Sequence, residues 1–381
     1  MIYLDNQSTT RCDPRVVEAM LPYFTEHYGN AASATHAFGW TAKAAVDLAR
    51  EQVAALIGAN TNELVFCSGA TEANNLAIRG AAEAYAERSK ELVVAATEHA
   101  SVIDCVRQLE RQGWTLRIVP VDSMGLIQPD ALLKALTPNT TLVSIMLVNN
   151  EIGVIQDVAA LAELVHKVDP KIIFHCDAAQ APGKLEVDVK ALGADLVTLS
   201  AHKVYGPKGV GALWRRRRPR LALRPLIEGG GQEEGLRSGT LAVPLIVGFG
   251  LACELASAEL MSDSRRISRL ATRLLDGLRG ELDGVSINGS MVSRVPGNLN
   301  LAFAGVKADR LLSELGGIAI STGSACSSAE GKPSHVLAAL MDKERAQQSV
   351  RFGIGRFTCE QEIDDCIEQV SAAVHGLRNA S

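Results

Sequence analysis

The chain has 381 residues, 47% of them apolar and 21% charged, with 38 basic against 43 acidic side chains and a formal charge of −5. That length exceeds one ordinary core, so two domains are expected, and the charge balance excludes a global basic surface built for nucleic acid. The N-terminus lacks a basic-then-apolar leader, and no apolar segment reads as long enough to span a bilayer, so a soluble cytoplasmic protein with no membrane partner is expected.

Asp13-Pro14 ahead of Val16, Val17, Met20, Leu21 and Phe24 reads as a capped, proline-started amphipathic helix. An alanine-rich helical pattern over about 38–57 stops at Gly58. From there β and α signals alternate. Leu64-Val65-Phe66-Cys67 precedes a helix from Thr71, and Leu92-Val93-Val94-Ala95 precedes one from about Ser101. Leu116-Arg117-Ile118-Val119 and Leu142-Val143-Ser144-Ile145-Met146 follow, then a helix from about Asp157. Two more apolar runs, Ile172-Ile173-Phe174 and Leu196-Val197-Thr198-Leu199, complete the signature of a mostly parallel sheet covered by helices on both faces.

After Gly239 the rhythm changes to two long helical patterns, 243–261 and 264–282, then short strands, a helix and an amphipathic segment over about 360–377. The expected division is a large α/β domain over 14–258 and a smaller α+β domain made of 1–13 together with 259–381. The run Arg215-Arg216-Arg217-Arg218-Pro219-Arg220 reads as a solvated turn rather than a patch for nucleic acid or an acidic partner.

Asp177-Ala178-Ala179-Gln180 follows one of the last two strands, and Ser200-Ala201-His202-Lys203 follows the other. Ligands bind at the carboxyl ends of parallel strands. A lysine that forms an imine with an aldehyde, beside an acid that faces a protonated ring nitrogen, meets the requirement of pyridoxal phosphate (PLP). Gly206, Gly209 and Gly211 do not follow the dinucleotide spacing and precede a strand, which disfavours that alternative. Gly69-Ala70-Thr71-Glu72, at a strand-to-helix turn, serves either as a simple cap or as a phosphate cradle. With Ser200, His202 and Lys203 nearby in the proposed sheet, phosphate is preferred.

His99, beyond another strand end, is either a hydrogen-bonded loop histidine or a ring that stacks on a planar cofactor and moves protons. The eight cysteines form no C-x-x-C pair, which argues against structural zinc and for reduced thiols. Cys326 alone lies in a stretch of small residues, Ser321 to Ser328, that reads as a mobile loop, and it is the candidate nucleophile. Arg351, in a strand-like segment, is either a carboxylate clamp or a surface arginine.

Taken in order, these runs resemble the cysteine desulfurases of the NifS/IscS type, in the PLP-dependent class V aminotransferase group. The similarity runs through Tyr3-Leu4-Asp5-Asn6, Tyr28-Gly29-Asn30, Gly69-Ala70-Thr71-Glu72, Glu98-His99 and Asn149-Asn150-Glu151-Ile152-Gly153. It continues through His175-Cys176-Asp177-Ala178-Ala179-Gln180, Ala201-His202-Lys203, Arg237-Ser238-Gly239-Thr240, Gly323-Ser324-Ala325-Cys326 and Arg351-Phe352-Gly353-Ile354-Gly355-Arg356-Phe357. The resemblance implies fold type I of the PLP-dependent transferases: a large domain around a mostly parallel seven-stranded sheet, and a small domain carrying the cysteine loop.

It also implies roles. Lys203 holds PLP covalently, Asp177 pairs with its ring nitrogen, Gln180 contacts its ring hydroxyl, and His99 stacks on the ring and moves protons. Ala70, Thr71, Ser200 and His202 hold the phosphate, joined by Thr240 from the partner subunit of a homodimer. Asn150 touches cofactor and substrate, and Arg351 takes the substrate carboxylate. Cys326 accepts sulfur from L-cysteine as a persulfide, leaves L-alanine, and passes the sulfur to an acceptor protein in Fe–S assembly or in thio-modification of tRNA or DNA.

A selenocysteine lyase, another class V enzyme or a non-catalytic sulfur-relay subunit is the alternative. Cys326 argues against the first two and the intact Lys203, Asp177 and His99 against the last. The chain departs from the family pattern in Ala31 after Asn30, in Ala179, and in ending at Asn379-Ala380-Ser381 without a longer acceptor-binding tail. The acceptor is therefore expected to be read by the loop surroundings and the small domain.

Overall fold

The computed structural model describes residues 1–323 and 334–380. Its strands are β1 Ile2–Tyr3, β2 Leu64–Cys67, β3 Glu91–Ala95, β4 Thr115–Val119, β5 Thr140–Ser144 and β6 Ile173–Asp177. They continue as β7 Leu196–Ser200, β8 Gly211–Arg215, β9 Val285–Ile287, β10 Asn298–Phe303, β11 Ile318–Ala319 and β12 Ser349–Gly353. Seven of them form the main sheet in the order β2-β8-β7-β6-β5-β3-β4. Only β8 runs against its neighbours, pairing antiparallel with both β2 and β7.

Continuous apolar runs such as Leu92-Val93-Val94 suit strands that are covered on both faces, and β2, β3, β5, β6 and β7 are buried along their whole length. β4, at the sheet edge, is exposed along much of its length. One apolar cluster covers one face, with Val46, Val53, Phe174 and Phe249 among its members; another covers the other face, with Leu76, Ile78, Leu92 and Leu213. The parallel strands bring the residues after β2, β3, β6 and β7 to one edge, where the candidate site lies.

A separate core joins Ile2 and Leu4 to Leu274, Leu278, Phe303, Phe352 and Val370. It rests on the antiparallel sheet β12-β10-β9, on β1 paired with β11, and on the helix Glu360–Asn379. The two helices expected over 243–261 and 264–282 are one helix, Val243–Glu281. The polar residues read as its break do not end it, because Asp263 is buried and receives Arg356 Nε at 2.7 Å.

This helix also corrects the expectation about membrane-length segments, since by length and composition alone it could cross a bilayer. Its apolar surface is instead internal. Ile246, Phe249, Ala252, Cys253 and Ala256 are buried, and the helix packs against the helices Pro14–Met20 and Ala37–Leu56.

Arg356 ties the two cores together. It bonds Asp263, contacts Asp13 at 3.1 Å and Glu259 at 3.4 Å, and Arg15 bridges the same Asp13 and Glu259.

Candidate active site

A cavity of about 440 Å³ opens at the strand ends. Lys203 closes the short turn Ala201–Lys203 after β7, and its Nζ donates to the carbonyls of Gln7 at 2.5 Å and Ser8 at 2.7 Å. Asp177 ends β6, is 4% exposed, and lines the same cavity. Its Oδ1 accepts from Ala179 N and its Oδ2 accepts from Asn74 Nδ2 at 2.8 Å.

Behind Asp177 the groups are kept uncharged by burial. His175 is pushed down to about 4 by desolvation. Glu98 is pushed well above the carboxylate range, first by burial and then by the negative charge of Asp177.

His99 caps the helix Ala100–Arg111, and its Nδ1 accepts from Ser101 N at 3.1 Å. A ring nitrogen that accepts from a backbone N–H carries no proton, so the neutral ring is protonated on Nε2. Burial lowers the pKa of His99, and this neutral tautomer is the resting one. Ser101 Oγ links the ring to Asn74, which donates to it at 2.9 Å, so one amide serves both Asp177 and the histidine cap.

The phosphate end is built from Ser200, His202, Ala70 and Thr71, all on the cavity wall. Ser200 Oγ is buried without a hydrogen-bond partner. Gly69, at φ 152°, would present a Cβ to open space, and no side chain caps the helix Ala70–Tyr85 that follows. An anion at this corner would find a buried hydroxyl and uncapped helix N–H groups. His202 is pushed down to about 4 by burial and by Lys203, Lys208 and Lys184, and its Nδ1 meets Thr9 Oγ1 at 3.1 Å.

Gln180 donates from Nε2 to the Gln7 carbonyl at 2.8 Å, and its Oε1 accepts from Lys184 Nζ at 2.8 Å. Arg351, only 1% exposed, lines the cavity near Asn150. It is a buried group and not a surface arginine. Its guanidinium donates to Asp5 Oδ1 and Ser8 Oγ, each at 2.7 Å, and to the Asn150 carbonyl at 2.9 Å, while Nε is buried without a partner.

Ala70, Thr71, His99, Asn150, Asp177, Gln180, Ser200, His202, Lys203 and Arg351 are thus brought together around one cavity. Thr240 is not among them; it is exposed on the chain's surface. Cys326 lies outside the described residues. The ends of its segment do not: Ser334 Oγ donates to the buried Glu151 Oε2 at 2.5 Å. A Cβ on Gly323 would lie 2.8 Å from that oxygen and 3.5 Å from Ser334 Cβ.

Sequence reasoning missed Gln7, Ser8, Thr9, Asn74 and Lys184 as parts of the site. The hydroxyl- and amide-rich run Asn6-Gln7-Ser8-Thr9 carried a signal, being polar yet placed next to an apolar strand. The donor set fits PLP: an amine for its aldehyde, a carboxylate for its ring nitrogen, and an unpartnered buried hydroxyl with an open helix N-terminus for its phosphate.

Residues 2–366 match the class-V aminotransferase family. A curated relative named cysteine desulfurase IscS, from Anaeromyxobacter dehalogenans, is 49% identical over 100% of this chain and 94% of its own length. A solved NifS-like protein superposes with a TM-score of 0.92 at 35% identity, covering 98% of this chain and 99% of that one. Another, described as SspA in complex with cysteine, gives a TM-score of 0.82 at 34% identity over 94% of this chain and 100% of its own. The chain belongs to the class-V aminotransferase family, among the cysteine desulfurases of the NifS/IscS type.

Proposed function

We propose that this protein is a PLP-dependent cysteine desulfurase that converts L-cysteine to L-alanine and moves the sulfur onto Cys326. The observation that carries the reading is the convergence of Lys203 and Asp177 from adjacent strand ends on the cavity whose corner holds the unpartnered Ser200 hydroxyl.

PLP, when bound, supplies an electron sink for the pair left at the amino acid α-carbon. Lys203 holds the cofactor and takes or returns the α-proton. Asp177, braced by Asn74, faces the ring nitrogen. His99, neutral and protonated on Nε2, would stand beside the ring and supply protons to the leaving side. Arg351 receives the substrate carboxylate through its inner face, with Asp5 and Ser8 fixing the guanidinium plane.

The Cys326 thiolate attacks the substrate sulfur, so that an S–S bond forms while the carbon–sulfur bond breaks. The electron pair of that bond goes to the carbon side, which takes up protons to become the methyl group of alanine. The persulfide then passes to a thiol of an acceptor protein.

The reading extends to a homodimer. Leu21, Phe24, Tyr28, Phe38 and Trp40 form an exposed apolar group on neighbouring N-terminal segments, with the rings of Tyr28 and Phe38 5.3 Å apart. Such surface is expected to be covered by a second copy, which would also carry the exposed Thr240 to the phosphate. The division into units 14–258 and 1–13 with 259–381 gives the cofactor to the first and the nucleophile to the second. A reducing, cytoplasmic setting suits the free thiols among the described residues.

The test is to load the protein with PLP, add L-cysteine, and measure alanine and persulfide together. Equal amounts of both, lost in Lys203→Ala, support the reading, whereas a colourless protein with full turnover overturns it.

A further inference from the structure

Lys184 stands outside every role given so far, yet its ammonium is enclosed behind Gln180. The residue follows the turn after β6, its Nζ donates to Gln180 Oε1 at 2.8 Å and to the Gln180 carbonyl at 3.1 Å, and the residue is half-buried. Gln180 itself is 4% exposed and lines the cavity.

The chemistry of the pair fixes an orientation. An amide side chain can usually turn over and exchange its oxygen for its NH2 group, but an ammonium is donor only. The group facing Lys184 must therefore be the oxygen. The NH2 then points the other way and donates to the Gln7 carbonyl at 2.8 Å, while Gln180 lines the cavity.

We propose that Lys184 is a positioning residue for the cofactor: it locks the Gln180 amide so that the chain presents a donor, and never an acceptor, to the ring oxygen of bound PLP. The inference rests on the PLP reading of the cavity and deepens it, by assigning to Lys184, together with the Gln7 carbonyl, the orientation of Gln180. A donor at that oxygen would favour its anionic form when PLP is bound.

The electrostatics set the pH range of this lock, which needs the protonated amine. Lys184 is lowered to about 7, by burial first and then by the positive charges of Lys203 and Arg351. Asp5, near this cation cluster, is already paired with Arg351, and Asp177 and Lys208 line the same cavity.

The experiment follows the visible absorbance of the PLP-loaded protein against pH, and the loss of PLP on dilution, in Lys184→Met, Lys184→Gln, Lys184→Arg and Gln180→Leu. Removing the donor should raise the pH midpoint of the visible band by about one unit and speed PLP loss several-fold, while Lys184→Arg stays close to wild type. Because Lys184 acts through Gln180, the double variant Lys184→Met with Gln180→Leu should shift no further than Gln180→Leu alone.

An unshifted midpoint in both Lys184→Met and Lys184→Gln, with Gln180→Leu shifted, overturns this proposal and leaves the PLP reading standing. Additive shifts in the double variant also overturn it, because Lys184 would then act directly by its charge. A wild-type protein that takes up no PLP overturns the underlying reading as well. Circular dichroism of Lys184→Arg and Lys184→Gln separates a folding defect from these outcomes.

Discussion

Asn74 donates to Asp177 Oδ2 over 2.8 Å, from the helix that begins at the phosphate corner of the cavity to the strand end beneath the cofactor ring. The same amide reaches Ser101, which orients His99. Replacing Asn74 by alanine leaves a buried carboxylate short of a charge-assisted hydrogen bond, a loss of about 1.5–3 kcal/mol. Alanine production by Asn74→Ala should fall by about 10- to 100-fold in kcat/KM, with PLP still bound. An unchanged kcat/KM would mean that Asp177 needs no brace.

Cys326→Ser should keep PLP and keep the spectral response to L-cysteine, while persulfide and alanine are lost. Cofactor binding and sulfur capture use different residues, so the two readouts separate. Undiminished desulfuration would move the nucleophile to another cysteine, and Cys359, the exposed thiol among the described residues, is the first to examine.

The acid limb of the stability curve should respond to Asp13. Hydrogen bonds from Arg15 and Arg356 hold its carboxyl at about 2, below the ordinary 3.8. A depressed carboxylate contributes stability that is complete above its unfolded value and is lost as pH falls through the folded one. Asn still serves as a helix cap, so Asp13→Asn removes the charge and keeps the cap. Its melting temperature should vary less than that of wild type as the pH is lowered from 3.8 toward 2.

Arg356→Met should destabilise the protein by about 3–5 kcal/mol, because Asp263 would be left with only Arg266 at 3.7 Å and Asp13 with only Arg15. Chemical denaturation measures the change. A loss well under 1 kcal/mol would show that solvent or Arg15 replaces the guanidinium.

Trp40→Asp combined with Phe24→Asp should yield a monomer in sedimentation and should lose PLP, as Thr240→Ala does. Two inactive variants, Lys203→Ala and Thr240→Ala, should restore partial activity when mixed as heterodimers. A fully active monomer would remove the second subunit from the site.

Much of this site was legible because its chemistry follows apolar strands. Asp177 and Lys203 lie just past runs whose burial the sequence announces, and His99 and Thr71 lie at strand-to-helix turns, where polar residues have few structural alternatives. Asn74 and Lys184 gave no such signal. One sits on a helix face and the other after a turn, and only the folded chain puts them behind Asp177 and Gln180. The unbroken helix Val243–Glu281 was missed for a related reason: a polar interruption looks like a boundary until its partner, Arg356, arrives from far along the chain. Thr240, exposed and apart from the cavity in the single copy, has only the role proposed for it through a second subunit.

Gly323 and Ser334 both lie beside the Glu151 carboxylate, which separates the number of residues between two points from the stability of what they join. Once both stems are pinned at one point by groups outside the segment, adding residues between them costs only closure entropy, about 0.6 kcal/mol for each doubling. The number of residues between Gly323 and Ser334 is therefore free to vary at little cost to the core on either side.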